Sequence, residues 1–112
     1  MTKQESVIER QIGFYNNHDL EGFISTYHDD IEIFNLNDSS LILRGKDGLS
    51  QRYREKFEVL KVQAKIVNRM IIADKIIDHE HITSAGLSEI KKAVVIYQIE
   101  NGLIRKVWII NE

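Results

Sequence analysis

A series of predicted β-strands fills the second half of this chain and restricts its possible folds more than any other feature. From residue 61 to residue 111 the apolar residues come in short runs with the two-residue alternation of strands. Asn101-Gly102 separates the last two runs, and this pair tolerates the positive φ angles that a type I′ hairpin turn requires. The sequence therefore predicts a meander of four antiparallel strands, near residues 61–73, 75–84, 90–100 and 103–111.

The first half of the chain has apolar residues at helical spacing instead. Thr2 and Glu5 have the spacing of a capping box, so a first helix is predicted to begin near Thr2. The Asn16-Asn17-His18 segment is expected to end it. Asp19 is predicted to cap a second helix, whose apolar face carries Leu20, Phe23, Ile24 and Tyr27.

Two short strands and a third helix are predicted between these helices and the meander. The strands cover residues 31–36 and 41–44, and a slip in alternation between Ile33 and Phe34 predicts a β-bulge. Gly45 then leads into the third helix, which carries Leu49, Tyr53 and Phe57 on one side. Helices first and antiparallel strands last predict one α+β domain over residues 1–112.

Charge and cysteine content exclude several classes of protein. The net charge is -2, so neither nucleic acid nor an anionic membrane is expected as a partner. Acids interrupt the basic residues of the Arg52–Lys56 segment, a pattern typical of a solvated helix face. The absence of cysteine excludes disulfides, thiol nucleophiles and thiolate metal sites. Because the N-terminus is polar and no apolar run approaches about 18 residues, we expect a cytoplasmic protein.

The last two strands are apolar on both faces. In the final strand Val107 and Ile109 alternate with Trp108 and Ile110, so neither face is suited to water. One face must meet the helices, and the other needs a second cover. A second copy of the chain is the simplest cover. We therefore predict a homodimer through the outer sheet face, with Trp108 and Ile110 at the interface.

Four segments of the sequence resemble those of one superfamily. They are Thr26–Ile31, Leu43–Gly45, Asp78–Glu80 and Glu100–Trp108. In this order the chain resembles the nuclear transport factor 2-like superfamily, which includes ketosteroid isomerases and SnoaL-like polyketide cyclases. The resemblance implies a cone-shaped fold, with three N-terminal helices packed on a curved, mainly antiparallel sheet around an apolar pocket. It also implies a homodimer and a reaction without a cofactor.

Departures from the pattern of the superfamily argue against the ketosteroid isomerase reaction itself. The position of the proton-transferring carboxylate falls on Asn35, and an amide is no base at neutral pH. The position of the oxyanion-binding tyrosine falls near Gln11, with Tyr15 one turn further along. The position of the neutral acid falls around Val94–Ile96, where the sequence has no acid.

Asp78-His79-Glu80-His81 is the polar cluster best suited to acid-base chemistry. Alternation places Asp78 and Glu80 on one face of a strand and the two histidines on the other. A carboxylate that faces the pocket would have a raised pKa and suit proton transfer. The inward face is left open, because the sheet bends. The candidate catalytic residues are Asp78, His79, Glu80 and Asn35. His79 and His81 have no third ligand at a telling spacing, so no metal is expected.

Aromatic residues and one methionine are the candidate ligand-binding residues. They are Phe14, Tyr15, Tyr27, Phe34, Tyr53, Phe57, Met70 and Tyr97. Tyrosines that line a pocket can donate hydrogen bonds to a ligand oxygen. The prediction is a protein that binds a small apolar molecule and, if it is catalytic, acts as a cofactor-free isomerase, cyclase or hydrolase by proton transfer. The alternative is a non-catalytic ligand-binding or dimerisation accessory domain.

Overall fold

Three helices pack on one face of a six-stranded sheet in the computed structural model, which describes residues 2–111. The helices are α1 (Lys3–Asn16), α2 (Leu20–Ser25) and α3 (Gly45–Glu58). The strands are β1 (Tyr27–Asn35), β2 (Leu41–Arg44), β3 (Gln63–Ile72), β4 (Lys75–Thr83), β5 (Lys91–Glu100) and β6 (Leu103–Asn111). Their order is β2-β1-β6-β5-β4-β3, with β1 parallel to β6 and the other neighbours antiparallel. The predicted α+β architecture is confirmed.

The helix caps follow the sequence signals. The backbone N–H of Glu5 donates to the Thr2 hydroxyl at 3.1 Å, and that of Thr2 donates to the Glu5 carboxylate at 3.0 Å, which completes the capping box. His18 has a φ of 58° in the connection after α1. Asp19 caps α2 by accepting from the Gly22 N–H at 3.0 Å. No helix in the described part of the chain is long and apolar enough to cross a membrane.

Helix α2 ends earlier than its apolar spacing predicts. Tyr27, which the helical spacing places on the apolar face of α2, is the first residue of β1. The backbone N–H of Ile104 donates to the Thr26 carbonyl at 3.0 Å, and Tyr27 pairs with Ile104. This pairing with β6 draws the chain into the sheet, so a tertiary contact overrides the helical pattern.

The sheet is bent, and its inner face is the buried one. Asp78 and Glu80 in β4, together with Val95 and Tyr97 in β5, are buried on the inner face. The predicted bulge in β1 is present between Ile33 and Phe34. Further irregularities occur between residues 66 and 68 and between residues 98 and 99. Such bulges bend a sheet, and here the bent sheet holds the helices on its inner face.

The helices meet the sheet through a cluster of aromatic rings. Phe23 in α2 lies at the centre, with ring centroids 4.7 Å from Tyr53, 5.0 Å from Tyr27 and 5.2 Å from Phe57. Tyr15 in α1 contacts Phe57 at 5.4 Å in an edge-to-face arrangement. Such pairs add stabilisation beyond the apolar area that they bury. The cluster holds α1, α2 and α3 in fixed positions above the sheet.

Gly102→Ala is expected to lower the free energy of unfolding by about 1–2 kcal/mol, because Gly102 has a φ of +77° in the hairpin turn. Gly13→Ala is the matched control. Gly13 is helical, and a Cβ there would have no heavy atom within 4 Å, so this change should stabilise the protein by up to about 1 kcal/mol. Urea unfolding of both variants measures the two effects, and a stable Gly102→Ala protein would contradict the assignment of the turn.

Candidate functional site

A cavity lies between α1, α3 and the inner face of the sheet. Its volume is about 60 Å³. A buried water needs about 10–15 Å³, so the cavity has room for about five waters or a ligand of similar size. The polar side chains that line it are Gln11, Tyr15, Tyr27, Arg52, Tyr53, Lys56, Glu80, Tyr97 and Asn111. The apolar part of the wall is Ile12, Ala64, Ile82, Ala93, Val95, Val107 and Ile109.

Glu80 is the one carboxylate among the described residues that line this cavity. Strand β4 carries it to the inner face, where the residue is 5% exposed. The Tyr97 hydroxyl donates to Glu80 Oε2 at 3.2 Å. Burial, and after it the negative charge of Asp78, raises the pKa of Glu80 to about 7. At neutral pH Glu80 is therefore divided between its acid and base forms, which suits it to take up and return a proton.

Asp78 lies beside the cavity rather than in its wall. Arg69 in β3 donates to both carboxylate oxygens of Asp78, at 2.7 Å from Nε and 2.9 Å from Nη2. The remaining terminal nitrogen of Arg69 donates to Glu9 of α1 at 2.7 Å. The bidentate pair engages both carboxylate oxygens of Asp78, and the contact of Arg69 with Glu9 ties α1 to the sheet. The role of Asp78 toward the cavity is electrostatic, because its charge raises the pKa of Glu80.

Four tyrosine hydroxyl-bearing side chains line the cavity. They are Tyr15, Tyr27, Tyr53 and Tyr97, one from each of α1, β1, α3 and β5. Burial raises the pKa of all four phenols above the ordinary value, so they stay protonated at neutral pH. A protonated phenol can donate to a ligand oxygen on which negative charge develops. It cannot act as a general base at neutral pH.

Gln11 and Arg52 also line the cavity, and neither was among the candidate site residues. Gln11 Nε2 donates to the Tyr27 hydroxyl at 3.1 Å, while Gln11 Oε1 is buried without a hydrogen-bond partner among residues 2–111. Arg52 Nε is buried without a partner in the same part of the chain. Buried polar atoms are seldom left unpaired, so these two atoms mark positions for polar groups of a ligand or for water.

Comparison with known proteins defines the fold. No protein-family model matches this sequence, and no curated protein matches it significantly. A cystatin-fold protein from Novosphingobium aromaticivorans superposes with a TM-score of 0.83 at 21% identity, over 98% of each chain. A SnoaL-like protein from Burkholderia thailandensis gives 0.80 at 18%, over 98% of this chain and 94% of its own. An NTF2-like protein from Cytophaga hutchinsonii gives 0.76 at 14%, over 100% of this chain and 91% of its own.

This protein has the nuclear transport factor 2-like fold. The resemblance predicted from the sequence segments is thereby confirmed at the level of the fold. The three structures are themselves described as uncharacterised or of unknown function. The function of this chain therefore has to be inferred from its own cavity.

Two of the four candidate catalytic residues lie away from the cavity of the nuclear transport factor 2-like cone. His79 lies on the outer sheet face with its ring centroid 5.4 Å from that of His81, because alternation turns it away from Glu80. Asn35, at the end of β1, accepts from the Asn37 N–H at 3.1 Å and so stabilises the turn. Within residues 2–111, no group of three histidine or acidic side chains is placed to hold a metal ion.

Four of the eight predicted ligand-binding residues also lie outside the cavity. Phe14 packs over Gly22 between the first two helices, and Phe57 is buried in the aromatic cluster. Phe34 stacks on Trp108 at 5.9 Å on the outer sheet face, and Met70 in β3 is 55% exposed. The expectation that these side chains line the pocket is corrected. Tyr15, Tyr27, Tyr53 and Tyr97 do line it.

The sequence contained a signal for three cavity residues that were not candidate site residues, Gln11, Arg52 and Lys56. The position of an oxyanion-binding tyrosine in the resembled superfamily falls near Gln11. Arg52 and Lys56 are about one helical turn apart, and each directly precedes a buried aromatic residue of α3, Tyr53 or Phe57. Both therefore lie on the same side of the helix, at the border of its buried face. The prediction that the Arg52–Lys56 segment is a solvated face holds for Arg54, which is exposed, but not for its two ends.

Proposed function

We propose that the cavity binds a small carbonyl compound and that Glu80 transfers a proton to and from the carbon next to the carbonyl. The observation that carries this proposal is a buried carboxyl group with a pKa raised to about 7 in a cavity lined by four phenols. Ala93, Val95 and Val107 supply the apolar part of the wall for the carbon atoms of the ligand. The reaction class is isomerisation, or enolisation, without a cofactor.

The chemistry assigns a role to each kind of side chain in the cavity. Ionised Glu80 takes the proton, and the electron pair of the broken C–H bond moves to form an enolate. Phenol hydroxyls donate to the enolate oxygen, where they are held ready before the charge develops. Protonated Glu80 then returns the proton to the same carbon or to a neighbouring one. General base catalysis of this kind contributes a factor of about 10²–10⁴ to the rate.

Hydrogen–deuterium exchange of a small ketone tests the proposal. Butanone, which matches the size of the cavity, is incubated in D₂O and its α-protons are followed by proton NMR. We expect the protein to accelerate exchange with a rate that rises with pH through a midpoint near 7, as Glu80 ionises. Glu80→Gln should lower the protein-dependent rate by about 10²–10⁴-fold. Glu58→Gln, at an exposed position of α3, is the control, and equal rates for both variants would refute the proposal.

A non-catalytic accessory domain is the second candidate. The observation that favours it is the small volume of the cavity, about 60 Å³, compared with the roughly 300–1,000 Å³ of ordinary ligand pockets. Under this alternative the polar cavity would hold water, and the outer sheet face would carry the function. This alternative requires the wild type and Glu80→Gln to give the same rate of butanone exchange.

We further propose that the protein works as a cytoplasmic homodimer through the outer sheet face. This face has an apolar, half-buried surface that is formed by Phe34, Val94, Ile96 and Trp108. Met70, which is 55% exposed, extends it. Large apolar patches of this kind are typical of interaction surfaces. A chain without cysteine is suited to a reducing compartment, which supports the cytoplasmic location.

Trp108→Glu is expected to convert this dimer into monomers. The change places a charge at the centre of the apolar face, where a second copy would have to desolvate it. Val59→Glu is the matched control, because Val59 is apolar and 67% exposed but follows α3, away from the sheet. Light scattering should give half the mass for Trp108→Glu and an unchanged mass for Val59→Glu. A wild-type chain that is already monomeric would rule out the proposed interface.

A further inference from the structure

Two cationic side chains lie side by side in the wall of the cavity. Arg52 and Lys56 are four residues apart in α3, both are half-buried, and both line the cavity. Like charges at this spacing repel each other on a helix. Burial, with the neighbouring charge of Arg52 as a second cause, lowers the pKa of the Lys56 ammonium. This arrangement is unfavourable for the protein alone, so it calls for a compensating group.

The other half-buried arginines of this fold are each paired with a carboxylate. Arg69 is paired with Asp78 at 2.7 Å, and Arg105 with Glu32 at 3.2 Å. Among residues 2–111, no carboxylate forms an ion pair with Arg52 or Lys56. Arg52 Nε is in addition buried without a hydrogen-bond partner. An arginine that lacks an ion pair and whose Nε has no hydrogen-bond partner is suited to receive an anion.

A second unpaired polar atom indicates which other polar group the ligand carries. Gln11 is 5% exposed, and its Oε1 has no partner within the described part of the chain. This oxygen is an acceptor, so it fits a hydroxyl group of a ligand. The hydroxyls of Tyr15, Tyr27 and Tyr53 can donate to a keto oxygen, whereas that of Tyr97 donates to Glu80. The cavity thus offers cations for a charged group, and donors and an acceptor for a neutral oxygen.

The charge and size of the cavity favour a carboxylate over a phosphate. Its volume of about 60 Å³ admits only a few non-hydrogen atoms. Ala93, Val95 and Val107 need carbon atoms to pack against, and inorganic phosphate has none. A phosphate dianion would also lie close to the carboxyl group of Glu80, and like charges in a buried site repel strongly.

We infer that the ligand of this cavity is a small monocarboxylate with an oxo or hydroxy group on the adjacent carbon, whose carboxylate is held by Arg52 and Lys56. This inference rests on the proposed function, since it names the substrate class of the same cavity. The carboxylate is placed at α3, an oxo oxygen accepts from the phenol hydroxyls, and a hydroxy group donates to Gln11 Oε1.

Binding of pyruvate and of its neutral amide, pyruvamide, tests the charge requirement at constant size. Shifts of the Ala93 and Val95 backbone amides in ¹H–¹⁵N NMR spectra of the full chain report occupancy of the cavity. We expect pyruvate to bind at least about tenfold more tightly than pyruvamide, as for a hydrogen bond between charged groups. Inorganic phosphate, titrated in parallel, should bind more weakly than pyruvate.

Variants of α3 assign the charge to specific residues. Arg52→Gln and, independently, Lys56→Gln should weaken pyruvate binding at least about tenfold without changing pyruvamide binding. Arg54→Gln is the matched control, because Arg54 is exposed on the same helix and bonds only to Ser50. Circular dichroism verifies that each variant is folded. If one of the two variants does not fold, the other still tests the inference.

Four results would overturn the inference. They are equal binding of pyruvate and pyruvamide, tighter binding of phosphate, equal losses in Arg54→Gln and Arg52→Gln, and no pyruvate-induced shift at the cavity amides. The proposed function is tested separately by butanone exchange. Glu80-dependent exchange without a preference for pyruvate would refute the carboxylate class alone. Arg52-dependent pyruvate binding without Glu80-dependent exchange would refute the catalytic proposal alone.

Discussion

Glu80→Gln is expected to stabilise the protein by up to about 3 kcal/mol near pH 8 and by much less near pH 4.5, because burial raises the pKa of Glu80 to about 7. The folded state must hold a buried carboxylate at high pH, and this is unfavourable. Gln keeps the shape of the side chain and can still accept from the Tyr97 hydroxyl, which donates to Glu80 at 3.2 Å. The variant removes the charge and little else.

The direction of the pH dependence follows from the two protonation states. Between pH 4.5, the ordinary value for a glutamic acid, and about pH 7, folded Glu80 binds more protons than unfolded Glu80. The contribution of Glu80 to the free energy of unfolding is therefore fully present below pH 4.5 and is lost as the pH rises through 7. The difference in stability between Glu80→Gln and the wild type should grow across this window and level off above it.

Urea unfolding of both proteins at several pH values measures this difference. Comparison with the wild type at each pH removes the contributions of the other carboxylates. Glu58→Gln, at an exposed position, should show no such trend. A stability difference that stays constant from pH 4.5 to pH 8 would mean that Glu80 is an ordinary carboxylate, and the proton-transfer proposal would lose its basis. A residue that makes the fold less stable yet remains buried is typical of a functional site.

Arg69→Met is expected to destabilise the protein by about 3–5 kcal/mol, because it leaves the fully buried Asp78 carboxylate without its partner. Both hydrogen bonds from Arg69 to Asp78, at 2.7 and 2.9 Å, are lost. The contact between Arg69 and Glu9, which ties α1 to β3, is lost as well. Since Arg69 lowers the pKa of Glu80, the same change should raise that pKa further.

The double variant Arg69→Met/Asp78→Asn separates the buried charge from the lost contacts. It should be more stable than Arg69→Met, because no carboxylate is left unpaired in the interior. Arg44→Met is the surface comparison. Arg44 bonds to Glu32 at 2.9 Å, but its side chain is 68% exposed, so the loss should stay below about 1 kcal/mol. A similar loss for Arg44→Met and Arg69→Met would contradict the assignment of Asp78 as a buried, arginine-dependent carboxylate.

Local chemistry made most secondary structure predictable. The Thr2 and Glu5 capping box, the Asp19 cap and the Asn101-Gly102 turn all depend on residues close in the chain, and all are present. Strand alternation correctly separated Glu80 from His79, because adjacent residues of a strand always point to opposite faces. Tyr27 departs from its helical pattern because its pairing with Ile104 joins residues far apart in sequence.

The sequence alone determined the α+β architecture and the set of side chains from which a site can be built, since periodicity, caps and turns are encoded within a few neighbouring residues. Only the tertiary structure decided that Glu80, and not His79, faces the cavity, and that Arg69 occupies Asp78. The same holds for Arg52 and Gln11, which come from α3 and α1 and meet at the cavity wall. Burial, and the charges brought near by folding, set the pKa of Glu80, and these depend on contacts between strands and helices that no local pattern records.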